Sequence, residues 1–314
     1  MREEMVRDDR VFVMGEDIGA RGGVFLATDG FIDEFGENRV IDTPLAESSI
    51  AGIALGAAMN GMRPIAEIEF ADFIWPTINQ LVGEASRARY GTNGQVGVPL
   101  VVRAPYGGGV RGALYHSQSV EVVFAHAPGL EVVMPATPYD AKGLLKSAIR
   151  NDDPVIFLEH KRTYRLVRGE VPDHDYTLPI GKADVKVEGR DVSIVTYGLM
   201  VHHCIEAAQA LQSEGISAEV VDLRTLRPLD KDTVLESVRK TGKALIVHED
   251  TKAGGFGGEV AAVISEEAFD HLDGPVTRLA GPEVPAMPFA PPLEAMFMLD
   301  ATKIADAARR LAQY

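Results

Sequence analysis

The stretch that decides the fold is Asp42-Thr43-Pro44-Leu45-Ala46-Glu47, which runs directly into Ser48-Ser49-Ile50-Ala51-Gly52-Ile53-Ala54-Leu55-Gly56-Ala57-Ala58-Met59. The second part has the Gly- and Ala-rich apolar composition of a helix that packs closely against a neighbour, and Pro44 suits the entry to a helix. Glu47 then places one carboxyl at the helix N-terminus. Apolar surroundings would favour its protonated form, whereas the helix dipole would favour the carboxylate. Glu47 is therefore a candidate general acid or, alternatively, an ordinary capping glutamate.

Composition places the chain among ordinary globular proteins. Its 314 residues are enough for two domains, and 46% of them are hydrophobic against 25% charged. The 31 basic and 46 acidic side chains leave a net charge of -15, which repels phosphate backbones and anionic membranes, so we expect no nucleic-acid and no membrane partner. Cys204 is the only cysteine, which excludes an intrachain disulfide and indicates a reducing compartment.

Short β-branched runs alternate with helical stretches along the first half, which predicts a parallel sheet covered by helices. Strands are predicted at residues 11–15, 64–70, 99–104, 130–134 and 155–158. Helices are predicted at residues 47–60, 76–90 and 139–150. Residues 161–186 break this pattern with arginines and prolines and indicate an exposed connector.

A second α/β unit follows the connector. Its strands are predicted at residues 191–196, 217–222, 244–249 and 276–280, and its helices at 201–215, 231–241, 257–269 and 302–313. Residues 281–293 contain five prolines and indicate a rigid loop across the surface. The sequence therefore predicts an α/β fold with two doubly wound domains, residues 1–185 and 186–314.

A glycine-rich loop follows the predicted strand 99–104. It is Pro105-Tyr106-Gly107-Gly108-Gly109-Val110-Arg111-Gly112-Ala113-Leu114-Tyr115-His116-Ser117-Gln118-Ser119. In open α/β sheets such a loop lies beyond the carboxyl ends of the strands, where ligands bind. Its spacing matches neither a dinucleotide fingerprint nor a phosphate-binding loop. His116 lies beside hydroxyl and amide side chains that can orient an imidazole, so it is a candidate acid–base group, with a structural loop histidine as the alternative.

Several motifs in order give the chain a family resemblance. They are Gly15-Glu16-Asp17, Asp42-Thr43-Pro44-Leu45-Ala46-Glu47, His116-Ser117-Gln118-Ser119, Ala141-Lys142-Gly143-Leu144-Leu145 and Val221-Asp222-Leu223-Arg224-Thr225-Leu226-Arg227-Pro228-Leu229-Asp230. Over essentially its whole length, the chain resembles the β subunit of the thiamine-diphosphate-dependent decarboxylating component of 2-oxoacid dehydrogenase complexes. The resemblance implies a pyrimidine-binding fold followed by a transketolase C-terminal-like domain. The family's leading helix is longer, so we expect a truncated copy or a start at an internal methionine.

The resemblance assigns roles to four residues. Glu47 would hydrogen-bond the aminopyrimidine ring of thiamine diphosphate, and Leu45 and Phe73 would line the cofactor. Phe73 stands where many branched-chain members have tyrosine, so a hydroxyl contact would be lost. His116 would donate a proton as the acyl unit moves to a lipoyl group.

The resemblance also implies a structural potassium ion. By position, its ligands would be the carbonyl groups of Leu100, Ala148 and Ile149 with the side chains of Asn151 and Asp153. The acid and amide of the family are exchanged here, since Asn151 stands at the aspartate position and Asp153 at the asparagine position.

One absence indicates a partner. The diphosphate of the cofactor needs a divalent cation and a Gly-Asp-Gly segment, which this sequence lacks. An α subunit would therefore hold the diphosphate and Mg²⁺, and this chain alone should be inactive. The resemblance implies an α2β2 heterotetramer that docks a lipoyl acyltransferase. We expect a cytoplasmic protein, or a mitochondrial matrix protein if the source is eukaryotic and the chain is processed.

The preferred 2-oxo acid is less clearly indicated. Phe70-Ala71-Asp72, Ala113-Leu114-Tyr115-His116, Phe157-Leu158-Glu159 and Tyr164-Arg165 are similar to branched-chain enzymes, which favours 3-methyl-2-oxobutanoate. Phe73 does not favour that choice. A pyruvate or acetoin dehydrogenase β subunit is the alternative, followed by a transketolase-like enzyme or a non-catalytic scaffold subunit.

Overall fold

The computed structural model describes residues 1–314. The strands are β1 Val11–Gly15, β2 Val40–Asp42, β3 Arg63–Glu67, β4 Val101–Tyr106, β5 Glu131–Val133, β6 Val155–His160, β7 Asp184–Val187, β8 Val192–Thr196, β9 Ala218–Asp222, β10 Thr225–Arg227, β11 Ala244–Thr251 and β12 Thr277–Gly281. The α-helices are α1 Arg2–Arg7, α2 Phe31–Phe35, α3 Glu47–Met59, α4 Ser86–Gly91, α5 Glu121–Ala125, α6 Pro138–Arg150, α7 Thr163–Leu166, α8 Met200–Ser213, α9 Lys231–Thr241, α10 Gly257–Glu267, α11 Pro291–Phe297 and α12 Ala301–Ala312. None of these helices has the length and apolar character needed to cross a bilayer.

The first sheet has seven strands in the order β10-β5-β6-β4-β3-β1-β2. All neighbours are parallel except β10, which runs antiparallel to β5. Every residue of β1, β4 and β6 is buried, as expected for parallel strands that are covered on both faces. Because β4, β3, β1 and β2 are adjacent and parallel, their carboxyl ends lie side by side at one edge of the sheet.

The second sheet has five strands in the order β12-β11-β8-β9-β7, and only β7 is antiparallel to its neighbour. The boundary that we predicted after residue 185 falls within β7, which pairs with β9. One strand from the second half, β10, pairs with β5 of the first sheet. The predicted boundary therefore does not separate the two sheets cleanly. It cuts β7 of the second sheet, and β10 from beyond it belongs to the first sheet.

The two sheets share an apolar interior. A single core cluster of 42 buried residues includes Tyr106 and Phe124 from the first half and Tyr197 and Phe256 from the second half. Burial of apolar area is the main favourable term in folding and in domain association. The two halves therefore pack through a shared core, which supports the loops that lie between them.

The prediction of two doubly wound α/β units is confirmed, and each predicted strand is present within a few residues. Three strands were missed, and all three are short edge strands, β2, β7 and β10. The single helix predicted at residues 76–90 is wrong, because the segment is divided into a 3₁₀ turn at Trp75–Thr77, a π-helix at Asn79–Ala85 and α4. Hydrophobic spacing near 3.6 residues does not distinguish these hydrogen-bond patterns.

Two loop predictions also need correction. The connector at residues 161–186 contains the short helix α7 and ends in β7. The proline-rich loop 281–293 is not only a surface crossing, because Met287 is buried in the core of the second half and α11 begins at Pro291. This loop lies against the glycine-rich loop of the first half, where Gly108 leaves no room for a side chain beside Met287.

Candidate active site

The predicted catalytic residues lie at one edge of the first sheet. Glu16 follows β1, Glu47 follows β2, Phe70 follows β3 and the loop with His116 follows β4. Because these four strands are adjacent and parallel, their carboxyl ends form a common surface. Crevices at this position are the usual ligand sites of open α/β sheets. The fold therefore brings Glu47 and His116 to the same side of the molecule.

Glu47 is the first residue of α3 and is half-buried. Ala46 is the N-cap residue, and no side-chain hydrogen bond caps this helix. The structure thus gives no support to a capping role for Glu47. Leu45, two residues before it, has 79% of its surface exposed. This part of the site is an open face of the single chain.

Glu16 is a neighbouring acid that sequence reasoning quoted only as part of a motif. Burial raises the pKa of Glu16 to about 7, and the nearby carboxylates of Glu47 and Glu69 act in the same direction. Its Oε1 atom is buried and has no hydrogen-bond partner. A group of this kind keeps a proton near neutral pH beside Glu47. The available sequence signal was a carboxyl directly after a buried strand.

His116 packs against two phenylalanine rings that also contact each other. Its ring centroid is 4.6 Å from that of Phe70 and 5.4 Å from that of Phe73, and both pairs meet edge to face. His116 itself is half-buried. The pair of aromatic rings restricts the orientation of the imidazole and leaves part of it accessible. This environment suits a group that must be oriented and must also reach a substrate.

The second half holds the glycine-rich loop through two buried glutamates. Glu249, at the end of β11, accepts the amide proton of Gly108 at 2.6 Å, and Glu294 in α11 accepts that of Arg111 at 2.9 Å. Glu249 also contacts His160 Nε2 at 2.8 Å. Sequence analysis did not single out these contacts. The loop that carries His116 is therefore fixed from the other domain.

Two residues of this loop have strained backbone conformations. Arg111 has φ of 59° and Ala113 has φ of 53°, in the left-handed region that favours glycine. Non-glycine residues in this region cost roughly 1–3 kcal/mol each when the surrounding structure holds them there. The hydrogen bond from Arg111 to Glu294 is such a restraint. Strain of this kind is frequent at ligand-binding loops.

The potassium ligands implied by the resemblance lie around the end of α6. Each of the three carbonyl oxygens already accepts one hydrogen bond, Leu100 from the Val155 amide, Ala148 from the Asn151 amide and Ile149 from the Arg63 guanidinium. Each carbonyl oxygen keeps a second lone pair, but the Arg63 guanidinium already places a positive charge on the Ile149 oxygen. The side chains face different partners, because Asn151 donates to Glu131 at 2.7 Å whereas Asp153 accepts from Arg89.

A cleft of about 1290 Å³ lies elsewhere, between α4, the segment before β5 and Arg227–Pro228. Neither Glu47 nor His116 lines it. Small-molecule sites usually enclose 70–90% of a ligand's surface. The half-buried Glu47 and the exposed Leu45 do not provide that enclosure from this chain alone. The geometry at the sheet edge is that of one wall of a site.

Comparisons with known proteins define the class. Residues 1–167 match the model for the transketolase pyrimidine binding domain, and residues 181–304 match that for the transketolase C-terminal domain. A solved structure described as "Split gene transketolase, inactive beta4 tetramer" is 26% identical, with a TM-score of 0.78, and the match covers 99% of this chain and 94% of that one. The two domains and the fold are therefore those of the transketolase-like enzymes.

Curated relatives narrow this class. The 2-oxoisovalerate dehydrogenase subunit beta of Bacillus subtilis (strain 168) is 62% identical over 100% of this chain and 96% of its own length. The pyruvate dehydrogenase E1 component subunit beta of the same organism is 48% identical with the same coverage. The chain belongs to the family of 2-oxoacid dehydrogenase E1 β subunits, as the resemblance implied.

Proposed function

We propose that the chain is the β subunit of a branched-chain 2-oxoacid dehydrogenase that acts on 3-methyl-2-oxobutanoate. It would work with an α subunit in an α2β2 heterotetramer and pass the acyl group to a lipoyl acyltransferase. The observation that carries this proposal is that Glu47 and His116 follow β2 and β4, two strands of the parallel run β4-β3-β1-β2 whose carboxyl ends lie at one edge of the sheet. The 62% identity to a 2-oxoisovalerate enzyme, against 48% to a pyruvate enzyme, supports the branched-chain substrate.

The residues at the sheet edge fit the pyrimidine half of thiamine diphosphate. Glu47 would hydrogen-bond a ring nitrogen, and Leu45 and Phe73 would provide apolar contacts. The buried Oε1 atom of Glu16, which lacks a partner, supports a polar ligand or proton at this place. When bound, the cofactor supplies the carbon nucleophile and the electron sink for decarboxylation. Since no Gly-Asp-Gly segment occurs in this chain, the α subunit would hold the diphosphate and Mg²⁺.

His116 would hold the proton that is needed when the acyl group moves to the lipoyl sulfur. Imidazole exchanges protons readily near neutral pH. The rings of Phe70 and Phe73 would exclude water where they contact the imidazole and fix its direction. Phe73 contributes no hydroxyl, so the contact that a tyrosine would make at this position lining the cofactor would be lost.

We propose that the enzyme is cytoplasmic.

We also propose that it binds a structural potassium ion. The ligands would be the carbonyl groups of Leu100, Ala148 and Ile149, with the side chains of Asn151 and Asp153 turning towards the ion. Exchange of K⁺ for Na⁺ should then lower the midpoint temperature of thermal unfolding. An equal midpoint in both salts would exclude the potassium site.

The test of catalysis is Glu47→Gln in the enzyme reconstituted with its α subunit. We expect a loss of decarboxylation of at least about 100-fold with assembly intact, because a general acid–base group contributes about 10²–10⁴-fold. Asp33→Ala, which changes an exposed acid on α2, is the control and should retain activity. Unchanged turnover of Glu47→Gln would favour a scaffold subunit instead.

Substrate choice is tested by kcat/KM for 3-methyl-2-oxobutanoate against pyruvate. Each additional methylene in an apolar pocket contributes about 1–3 kcal/mol, so we expect a preference of at least about tenfold for the branched acid. A preference for pyruvate would assign the chain to the pyruvate type. Ketol transfer between sugars without decarboxylation would assign it to the transketolase type.

A further inference from the structure

The turn after β3 contacts His116 and the residues that follow it. Phe70 and Phe73 meet the imidazole edge to face. Between them, Asp72 accepts the amide protons of Ser117 and Gln118 on one carboxylate oxygen, at 3.0 and 3.1 Å. One short segment, residues 70–73, thus holds both the ring of the histidine and the backbone on its C-terminal side.

Asp72 is a buried side chain, and the hydrogen bonds that it accepts all come from the loop that carries His116. Only 6% of its surface is exposed, and its second oxygen, Oδ2, has no partner. Hydrogen bonds from amides to a charged carboxylate are roughly twice as strong as neutral ones. Residues 107–119 contain only a 3₁₀ turn at Ala113–Tyr115 and have no strand ladder to fix them. The two bonds to Asp72, together with the bond that the Gly107 amide donates to the Gln118 carbonyl at 2.9 Å, hold the backbone directly after the histidine.

Lys161 provides the compensating charge. It is 4% exposed, its Nζ atom has no hydrogen-bond partner, and it lies 5.6 Å above the centroid of Phe70. Burial lowers the pKa of Lys161 to about 8, while the charge of Asp72 acts in the opposite direction. Phe70 thus has the Lys161 ammonium over one face and contacts His116. Lys161 therefore interacts with both side chains that orient the histidine, with Asp72 through opposite charge and with Phe70 through the face of its ring.

Building on the role of His116 proposed above, we propose that Asp72 is a positioning residue for His116, supported by Lys161. Its carboxylate fixes the backbone of residues 117 and 118, and Phe70 and Phe73 fix the imidazole. Asp72 acts through His116 and does not contact the reacting atoms. Its loss should therefore affect the step that needs the histidine more than the step that needs Glu47.

Two activities of the reconstituted holoenzyme separate these steps. Decarboxylation is measured with an artificial electron acceptor, and acyl transfer with a free lipoyl domain. In Asp72→Ala, we expect the ratio of acyl transfer to decarboxylation to fall at least tenfold, with the loss in kcat and not in KM. Asp72→Asn keeps an acceptor oxygen and should restore most of the ratio, and Asp33→Ala is the control. A parallel fall of both activities would overturn the proposal.

Hydrogen exchange gives a readout that does not depend on turnover. The amides of Ser117 and Gln118 should exchange at least tenfold faster in Asp72→Ala than in the unchanged enzyme or in Asp72→Asn. Equal exchange would overturn the proposal. If the alanine variant does not assemble, Asp72→Leu provides similar volume without an acceptor and is judged in the same way.

His116→Ala, measured in parallel, distinguishes two failures. If His116→Ala does not reduce the ratio of acyl transfer to decarboxylation, the role proposed for His116 is wrong. If His116→Ala reduces it and Asp72→Ala does not, the role of His116 stands and only the positioning role of Asp72 is lost.

Discussion

Glu249 of the second half accepts the amide proton of Gly108 in the first half at 2.6 Å, and the same side chain contacts His160 at 2.8 Å. Only 6% of Glu249 is exposed. One carboxylate thus joins β11, the end of β6 and the start of the loop that carries His116. The same contact therefore links the packing of the two halves to the course of that loop.

Replacement of Glu249 should destabilise the protein strongly. In Glu249→Ala, the Gly108 amide and the His160 ring lose their buried acceptor, and each buried polar group left without a partner costs about 1–3 kcal/mol. We expect a lower urea midpoint with a loss of about that size at pH 7. Glu236→Ala, on the exposed face of α9, is the control. An unchanged midpoint would contradict this account.

The same contact predicts a pH dependence. Burial alone would raise the pKa of Glu249, but the charge and hydrogen bond of His160 and the Gly108 amide hold the pKa below its ordinary value. A depressed pKa contributes stability above the pKa of the unfolded chain, about 4.3, and this contribution is lost as the pH falls further. The difference between the unchanged protein and Glu249→Ala should therefore shrink below about pH 4.

Arg103 forms buried ion pairs with two glutamates. Its guanidinium, 3% exposed, binds Glu67 and also Glu159 at 2.6 Å. Arg103→Leu would leave both carboxylates buried without a cation, and we expect a loss of at least about 3 kcal/mol at pH 7. The loss should be smaller at pH 5, because burial already raises the pKa of Glu67 and protonation removes the unpaired charge.

Denaturant unfolding of Arg103→Leu at the two pH values measures this effect. Arg168→Leu, which changes an exposed arginine of the connector, is the matched control and should behave like the unchanged protein. Equal losses at pH 5 and pH 7 would show that lost packing, and not the unpaired carboxylates, causes the instability.

The sequence predicted those parts of the fold and site that depend on local pattern. Continuous apolar runs marked β1 and β6, and a carboxyl before a Gly- and Ala-rich helix marked Glu47. Short edge strands such as β2 and β10 lack such runs, so their pairing depends on the neighbouring strand. The same limit applies to the π-helix, whose hydrogen-bond pattern leaves no clear trace in the spacing of apolar residues.

The support around His116 could not be predicted for a different reason. The glutamates that hold Gly108 and Arg111 are 141 and 183 residues away along the chain. Nothing in the local sequence of either glutamate indicates which amide it will meet. The surroundings of Glu47 are likewise not indicated by the local sequence, since Glu47 is only half-buried in this chain.

Glu16 gives the last prediction, a change in how stability depends on pH. Burial, with Glu47 and Glu69, raises the pKa of Glu16 to about 7, whereas an unfolded glutamate titrates near 4.3. The folded chain therefore binds more protons than the unfolded chain between these values, and this group makes stability fall as the pH rises from about 4.5 to 7. Glu16→Gln carries no ionisable group and should flatten the slope over that range. Glu37→Gln, an exposed control, should keep it. Urea midpoints at four or five pH values measure the slope, and identical slopes for Glu16→Gln and the unchanged protein would mean that Glu16 is ionised across the range.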